Sequence, residues 1–135
     1  MRLVIDSNRI IAALIKNGPT RKIILSMNIE FCSPDHVIEE IRKHRAYIAK
    51  KSQLSEKEVE WLFALLMENV QIIPDEKVRQ KMREAMQIMK NIDQDDAPIL
   101  ACALAIPNEG IWTEDRHFDR QTKVKIWRTA DVLDA

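Results

Sequence analysis

Leu3-Val4-Ile5 is a short unbroken apolar run that ends at Asp6. Such a run suits a strand buried on both faces of a parallel sheet. Further strands are expected at Glu30 to Ser33, Val70 to Ile73, Ile111 to Thr113 and Lys125 to Trp127. Helical periodicity fills the intervals. Arg9 to Lys16 reads as a helix stopped by Asn17-Gly18-Pro19, and Thr20 caps a second helix running to Met27. Ser33-Pro34-Asp35 opens one long helix to Lys51. Ser55 and Glu58 form a capping-box pattern ahead of a helix to Glu68. Pro74 and Asp75 start a helix to Lys90. Asp96 to Ile106 is apolar all round and so belongs in the interior. Thr129 caps a last helical turn. Strands alternating with helices predict a three-layer α/β domain around a central, mainly parallel five-stranded sheet.

Composition narrows this further. At 135 residues the chain is expected to be one domain spanning 1–135. Net charge is zero, so bulk charge cannot drive binding to nucleic acid or anionic lipid, and any nucleic-acid chemistry must be local. Cys32 and Cys102 have neither metal-site nor disulfide-framework spacing and read as buried thiols of a reducing cytosol. The longest near-apolar run, Ala97 to Pro107, is about half a membrane span. The expectation is a cytoplasmic protein with no membrane partner. Two glycines exclude the glycine-rich dinucleotide fingerprint and the P-loop.

In open α/β sheets sites form at the C-terminal strand ends. Acids stand at two of them, Asp6 and Asp115. Asp93, Asp95 and Asp96 crowd the start of the apolar helix, and Glu40 lies on the helix after the second strand. Gathered carboxylates stay ionised only beside a cation, and an all-oxygen set selects hard ions such as Mg²⁺ or Mn²⁺. Each acid also has a structural reading: Asp6 as a turn or N-cap, Asp95 and Asp96 as partners of a helix N-terminus, and Asp115 as a cap for Arg116 to Arg120. Their joint placement at element ends favours a metal site. Val37, Ile38, Ile41 and Ile48 set the apolar face of the long helix. Glu39 then points to solvent, able to pair with Lys43, while Glu40 sits on the boundary.

These residues also resemble a known family. Val4-Ile5-Asp6-Ser7-Asn8 is similar to the opening D-x-N of the PIN-domain nucleases, and Val37-Ile38 with Glu40-Ile41 to their helical glutamate. Asp96-Ala97-Pro98-Ile99-Leu100-Ala101-Cys102-Ala103 resembles their D-x-x-I-x-A-x-A helix, and Trp112-Thr113-Glu114-Asp115 with Phe118 their T-x-D-x-x-F. The four pieces fall in the family's order across nearly the whole chain. Arg9 departs from the usual aliphatic residue, and Pro98 lies inside the helix motif. The resemblance implies strand order 3-2-1-4-5 and cleavage of RNA with one or two Mg²⁺ or Mn²⁺ ions held by Asp6, Glu40, Asp96 and Asp115. Motif register favours Asp96 over Asp93 and Asp95. Asn8 and Thr113 would support the ligands, and products would carry 5′-phosphate and 3′-hydroxyl ends. Many members are VapC-like toxins, which implies an antitoxin partner and a homodimer.

Other features carry less. Arg9, Arg116 and His117 are candidates to touch RNA. Arg42-Lys43-His44-Arg45 with Lys50 and Lys51 reads as a solvated face, and His44 as packed. Trp61, Leu62, Leu65 and Leu66, and the stripe of Met82, Met86 and Met89, read first as core and second as an interface. Two rivals remain open: a non-catalytic module of the same fold that binds RNA or protein, and a haloacid-dehalogenase-type phosphatase. The latter wants a second Asp where Asn8 stands.

Overall fold

The computed structural model describes residues 1–26 and 28–135. Five strands, β1 (Arg2–Ile5), β2 (Glu30–Pro34), β3 (Val70–Ile73), β4 (Ile111–Trp112) and β5 (Ile126–Trp127), form one sheet in the order β3-β2-β1-β4-β5. Every neighbouring pair is parallel, with Val4 opposite both Cys32 and Ile111. Eight α-helices lie among the described residues: α1 (Ser7–Ile15), α2 (Pro19–Leu25), α3 (His36–Lys43), α4 (Arg45–Ser52), α5 (Glu56–Met67), α6 (Asp75–Met89), α7 (Ala97–Ala105) and α8 (Thr129–Leu133).

The strand pleat splits the interior into two cores, because successive side chains point to opposite faces. Leu3, Ile5, Phe31 and Trp112 pack with α1 to α5 and α8. Val4, Cys32 and Ile111 pack with α6 and α7. The three-layer expectation therefore holds, and each fully buried Leu, Ile or Val contributes roughly 1.5–3 kcal/mol. α7 is buried nearly all round, from Ala97 through Ala103 apart from Pro98. Proline is tolerated there because it falls in the first turn, where its missing N–H leaves no helical bond unmade. Cys32 and Cys102 are buried free thiols. No helix among the described residues is long and apolar enough to cross a membrane.

Several local expectations are corrected. The long helix is two helices, broken at His44 (φ −100°, ψ 8°). His44 is exposed rather than packed, because its Nδ1–H turns back to donate to the Glu40 carbonyl at 2.9 Å. α2 starts at Pro19 with Gly18 at the cap position, so Thr20 is not its cap; proline's fixed φ suits the first helical position. The helix ends at Leu25, and the expected last residue, Met27, lies outside the described residues. Thr129 is the first residue of α8 rather than its cap. Its Oγ1 accepts from Trp112 Nε1 (3.1 Å) and donates to Glu114 (2.7 Å). Trp61 and Leu65 are 66% and 48% exposed, because α5 buries only its Val59 and Leu66 line. Met86 is likewise exposed, since Val78, Ala85 and Met89 form the buried line of α6. The capping box of Ser55 and Glu58 is present, with bonds of 3.0 and 3.1 Å.

Gly110 sets the approach of β5 to β4. Its φ is +140°, and a Cβ there would stand 2.3 Å from the Lys125 carbonyl oxygen and 2.7 Å from the Trp127 ring. Glycine alone fits both demands.

Candidate active site

β1 and β4 end side by side, which sets Asp6 against Thr113 and Asp115. Asp6 occupies the cap position of α1 but makes no capping hydrogen bond, so the N-cap reading fails for its side chain. It is 5% exposed instead, and its Oδ2 accepts from Thr113 Oγ1 at 2.7 Å. Burial pushes the Asp6 carboxyl above its ordinary value, and the bonds from Thr113 and the Ser7 backbone oppose that rise. Thr113 is fully buried and also accepts from Asn8 Nδ2 (3.2 Å) and the Asp115 backbone N–H (2.9 Å). One hydroxyl thus ties Asp6, Asn8 and Asp115 together. Asp115 keeps its capping role as well, accepting from the His117 N–H at 2.9 Å.

α7 brings the third acid. Asp96 is at its N-terminus with no capping bond, and Asp96 Oδ2 is buried with no hydrogen-bond partner among the described residues. Burial, and then the charges of Asp115, Asp6 and Asp93, raise the Asp96 carboxyl to about 7, while His117 opposes them. Asp93 caps the short 3-10 turn Gln94–Asp96 through the Asp95 N–H (3.0 Å) and turns its other oxygen to His117. Asp95 is exposed at the rim.

Glu40 reaches the same cleft from α3. It lines a cavity of about 360 Å³ with Ser7, His36, Lys43, Asp95 and Asp96. His36 Nε2 and Lys43 Nζ lie 3.7 and 3.6 Å from its carboxylate. Lys43 therefore pairs with Glu40 and not with Glu39, which is exposed as the helical phase requires. Arg9 is half-buried, and its Nε donates to Asn8 Oδ1 at 2.9 Å, fixing the amide so that Nδ2 faces Thr113. Arg116 is exposed, as are Arg42, Arg45, Lys50 and Lys51.

Two further side chains contribute that the sequence motifs leave out. Arg128 donates to the carbonyls of Thr113 (2.8 Å) and Asp115 (3.3 Å), stapling the loop after β4. Its partners are backbone atoms, which leave no pattern. His36 was findable, since it precedes Glu40 by one helical turn.

An inward carboxylate oxygen with no donor, beside two further buried or half-buried acids, has the chemistry of a divalent-cation site. Asp6, Asp96 and Asp115 would offer such an ion oxygen donors, with Glu40 across the cleft. Such an ion orients a phosphate and activates water when bound. A parallel sheet in this order, with acids at two of its strand ends, defines the protein as an α/β domain with an acidic cleft at the C-terminal edge of its sheet. The PIN-domain family model matches residues 4–134, and the chain belongs to that family. Comparison with curated proteins and with solved structures gives no significant match.

Proposed function

We propose that this protein is a metal-dependent endoribonuclease that hydrolyses RNA phosphodiester bonds. Asp6, Asp96, Asp115 and Glu40 hold one or two Mg²⁺ or Mn²⁺ ions. The observation that carries this is the buried, unpartnered Oδ2 of Asp96, set among Asp6, Asp93 and Asp115. When bound, the ion neutralises charge on the phosphoryl group and lowers the barrier to attack by water. Thr113, Asn8 and Arg9 hold Asp6 in place, and Arg128 holds the segment that carries Asp115. The exposed Lys43 lines the cavity, Arg116 follows Asp115 in the chain, and the charge of Arg9 acts on Asp6, so the phosphates have cationic neighbours. Water oxygen bonds to phosphorus, the bond to the 3′-oxygen breaks, and that oxygen takes up a proton.

We place the protein as the toxin of a VapC-like toxin–antitoxin pair in the cytoplasm. The resemblance of the motifs supports that role. The exposed Trp61 and Leu65 of α5 offer apolar surface for a homodimer. Incubation with labelled single-stranded RNA tests the activity. Cleavage should require Mg²⁺ or Mn²⁺, leave 5′-phosphate ends, and be lost in Asp96→Asn. Cleavage that persists with a chelator, or in that variant, overturns the reading.

A further inference from the structure

The site contains a nitrogen that the acidic motifs leave out. His117 Nδ1 lies 3.2 Å from Asp93 Oδ2, 3.5 Å from Asp96 Oδ2 and 3.2 Å from Asp115 Oδ1. The backbone N–H of His117 donates to Asp115 Oδ1 at 2.9 Å, which seats the residue beside the acids. Donor atoms of Asp93, Asp96 and His117 all fall within 4.8 Å of one another.

A single ring N–H cannot serve three carboxylates at good geometry. One cation can. Adjacent ligands at right angles around an ion, with bonds of about 2.1 Å, stand roughly 3 Å apart. The separations around His117 Nδ1 have that spacing, and one of the three oxygens is the unpartnered Oδ2 of Asp96.

We infer that His117 is a metal ligand through Nδ1, beside Asp96 and Asp93, and that it makes the site prefer Mn²⁺ to Mg²⁺. The inference rests on the metal-site reading above. Mg²⁺ keeps to oxygen donors and water; Mn²⁺ also favours oxygen, but as a first-row transition ion it binds an imidazole nitrogen more readily than Mg²⁺ does. A wholly carboxylate site offers little ground for such a choice; one with an imidazole does.

Electron spin-echo spectroscopy of Mn²⁺ bound to the whole chain reads the ligand directly, and calorimetry reads affinity. The wild type should show nitrogen modulation from a coordinated imidazole. His117→Gln should lose it, bind Mn²⁺ about tenfold more weakly and bind Mg²⁺ nearly as before. The side chain is 49% exposed, so the variant leaves the core intact and should fold as the wild type does. Bound Mn²⁺ without nitrogen modulation overturns the ligand assignment and leaves the metal site standing. Equal weakening for both ions overturns the selectivity. A wild type that binds neither ion overturns both the inference and the reading beneath it.

Discussion

Thr113 Oγ1 donates to Asp6 Oδ2 at 2.7 Å, joining the ends of two strands that lie 107 residues apart in the chain. The same oxygen accepts from Asn8 and from the Asp115 backbone. Thr113 is therefore the junction at which the first and last motifs become one site.

Thr113→Val should keep the shape of the buried side chain and remove all three bonds. Leaving buried polar groups unpaired costs about 1–3 kcal/mol. With its donor lost, the Asp6 carboxyl should rise further and metal affinity should fall about 10–100-fold. Thermal melts and Mn²⁺ calorimetry check the two effects, and an unchanged affinity would remove Thr113 from the site's support.

Asp96 gives stability a pH dependence with a definite sign. Its folded value of about 7 exceeds the ordinary 3.8. Between these values the folded chain holds a proton that the unfolded chain has lost, so this group's contribution falls as pH rises through the window. Above about 7 the full penalty stands, on the order of a few kcal/mol at most. Metal-free Asp96→Asn should therefore melt higher than wild type at pH 8, with the gap closing towards pH 4. A variant no more stable than wild type at pH 8 contradicts this.

The same raised value couples cation binding to proton release. Apparent Mn²⁺ affinity should climb as pH rises towards about 7 and level off above it. Calorimetry in buffers of different ionisation enthalpy counts the released proton. Flat affinity across that range would mean that Asp96 is not displaced from its proton by the ion.

Asp6 separates repulsion from ligation. A cation at about 100 times its dissociation constant should add roughly 2.7 kcal/mol of stability to the wild type. Asp6→Asn should melt at the same or a higher temperature without metal and lose most of that gain. An undiminished metal shift would exclude Asp6 as a ligand.

Neighbouring glutamates provide an internal control. Glu40→Gln should reduce cleavage about tenfold or more, since its carboxylate faces the cavity shared with Asp96. Glu39→Gln should leave cleavage nearly unchanged, because Glu39 is exposed on the other side of α3. Equal losses would mean that the role assigned to Glu40 is wrong.

Much of this arrangement is legible in the sequence, for a physical reason. Strands buried on both faces leave unbroken apolar runs, and Asp6 and Asp115 stand out at their ends; Asp96 stands out in the same way at the head of a helix that is apolar all round. Tertiary and backbone-directed contacts leave no such trace. The break at His44 depends on a ring nitrogen turning back to one carbonyl. The exposure of Trp61 and Leu65 depends on how α5 is rotated against the sheet. Arg128 acts through two carbonyls. His117 is visible as a residue beside Asp115, but its approach to Asp93 and Asp96 exists only once α7 is docked.

The order β3-β2-β1-β4-β5 has a consequence for synthesis on the ribosome. Asp6 emerges first, but the strand that completes its surroundings, β4, comes more than a hundred residues later and must insert beside β1. β5 and Arg128, which hold β4 and its loop, follow later still. A growing chain can assemble β1 to β3 and their helices while it lacks half of the carboxylates. The four acids can therefore meet only after β4 has joined β1 and Thr113 has closed on Asp6, so the cleft is the last part of the molecule to take shape.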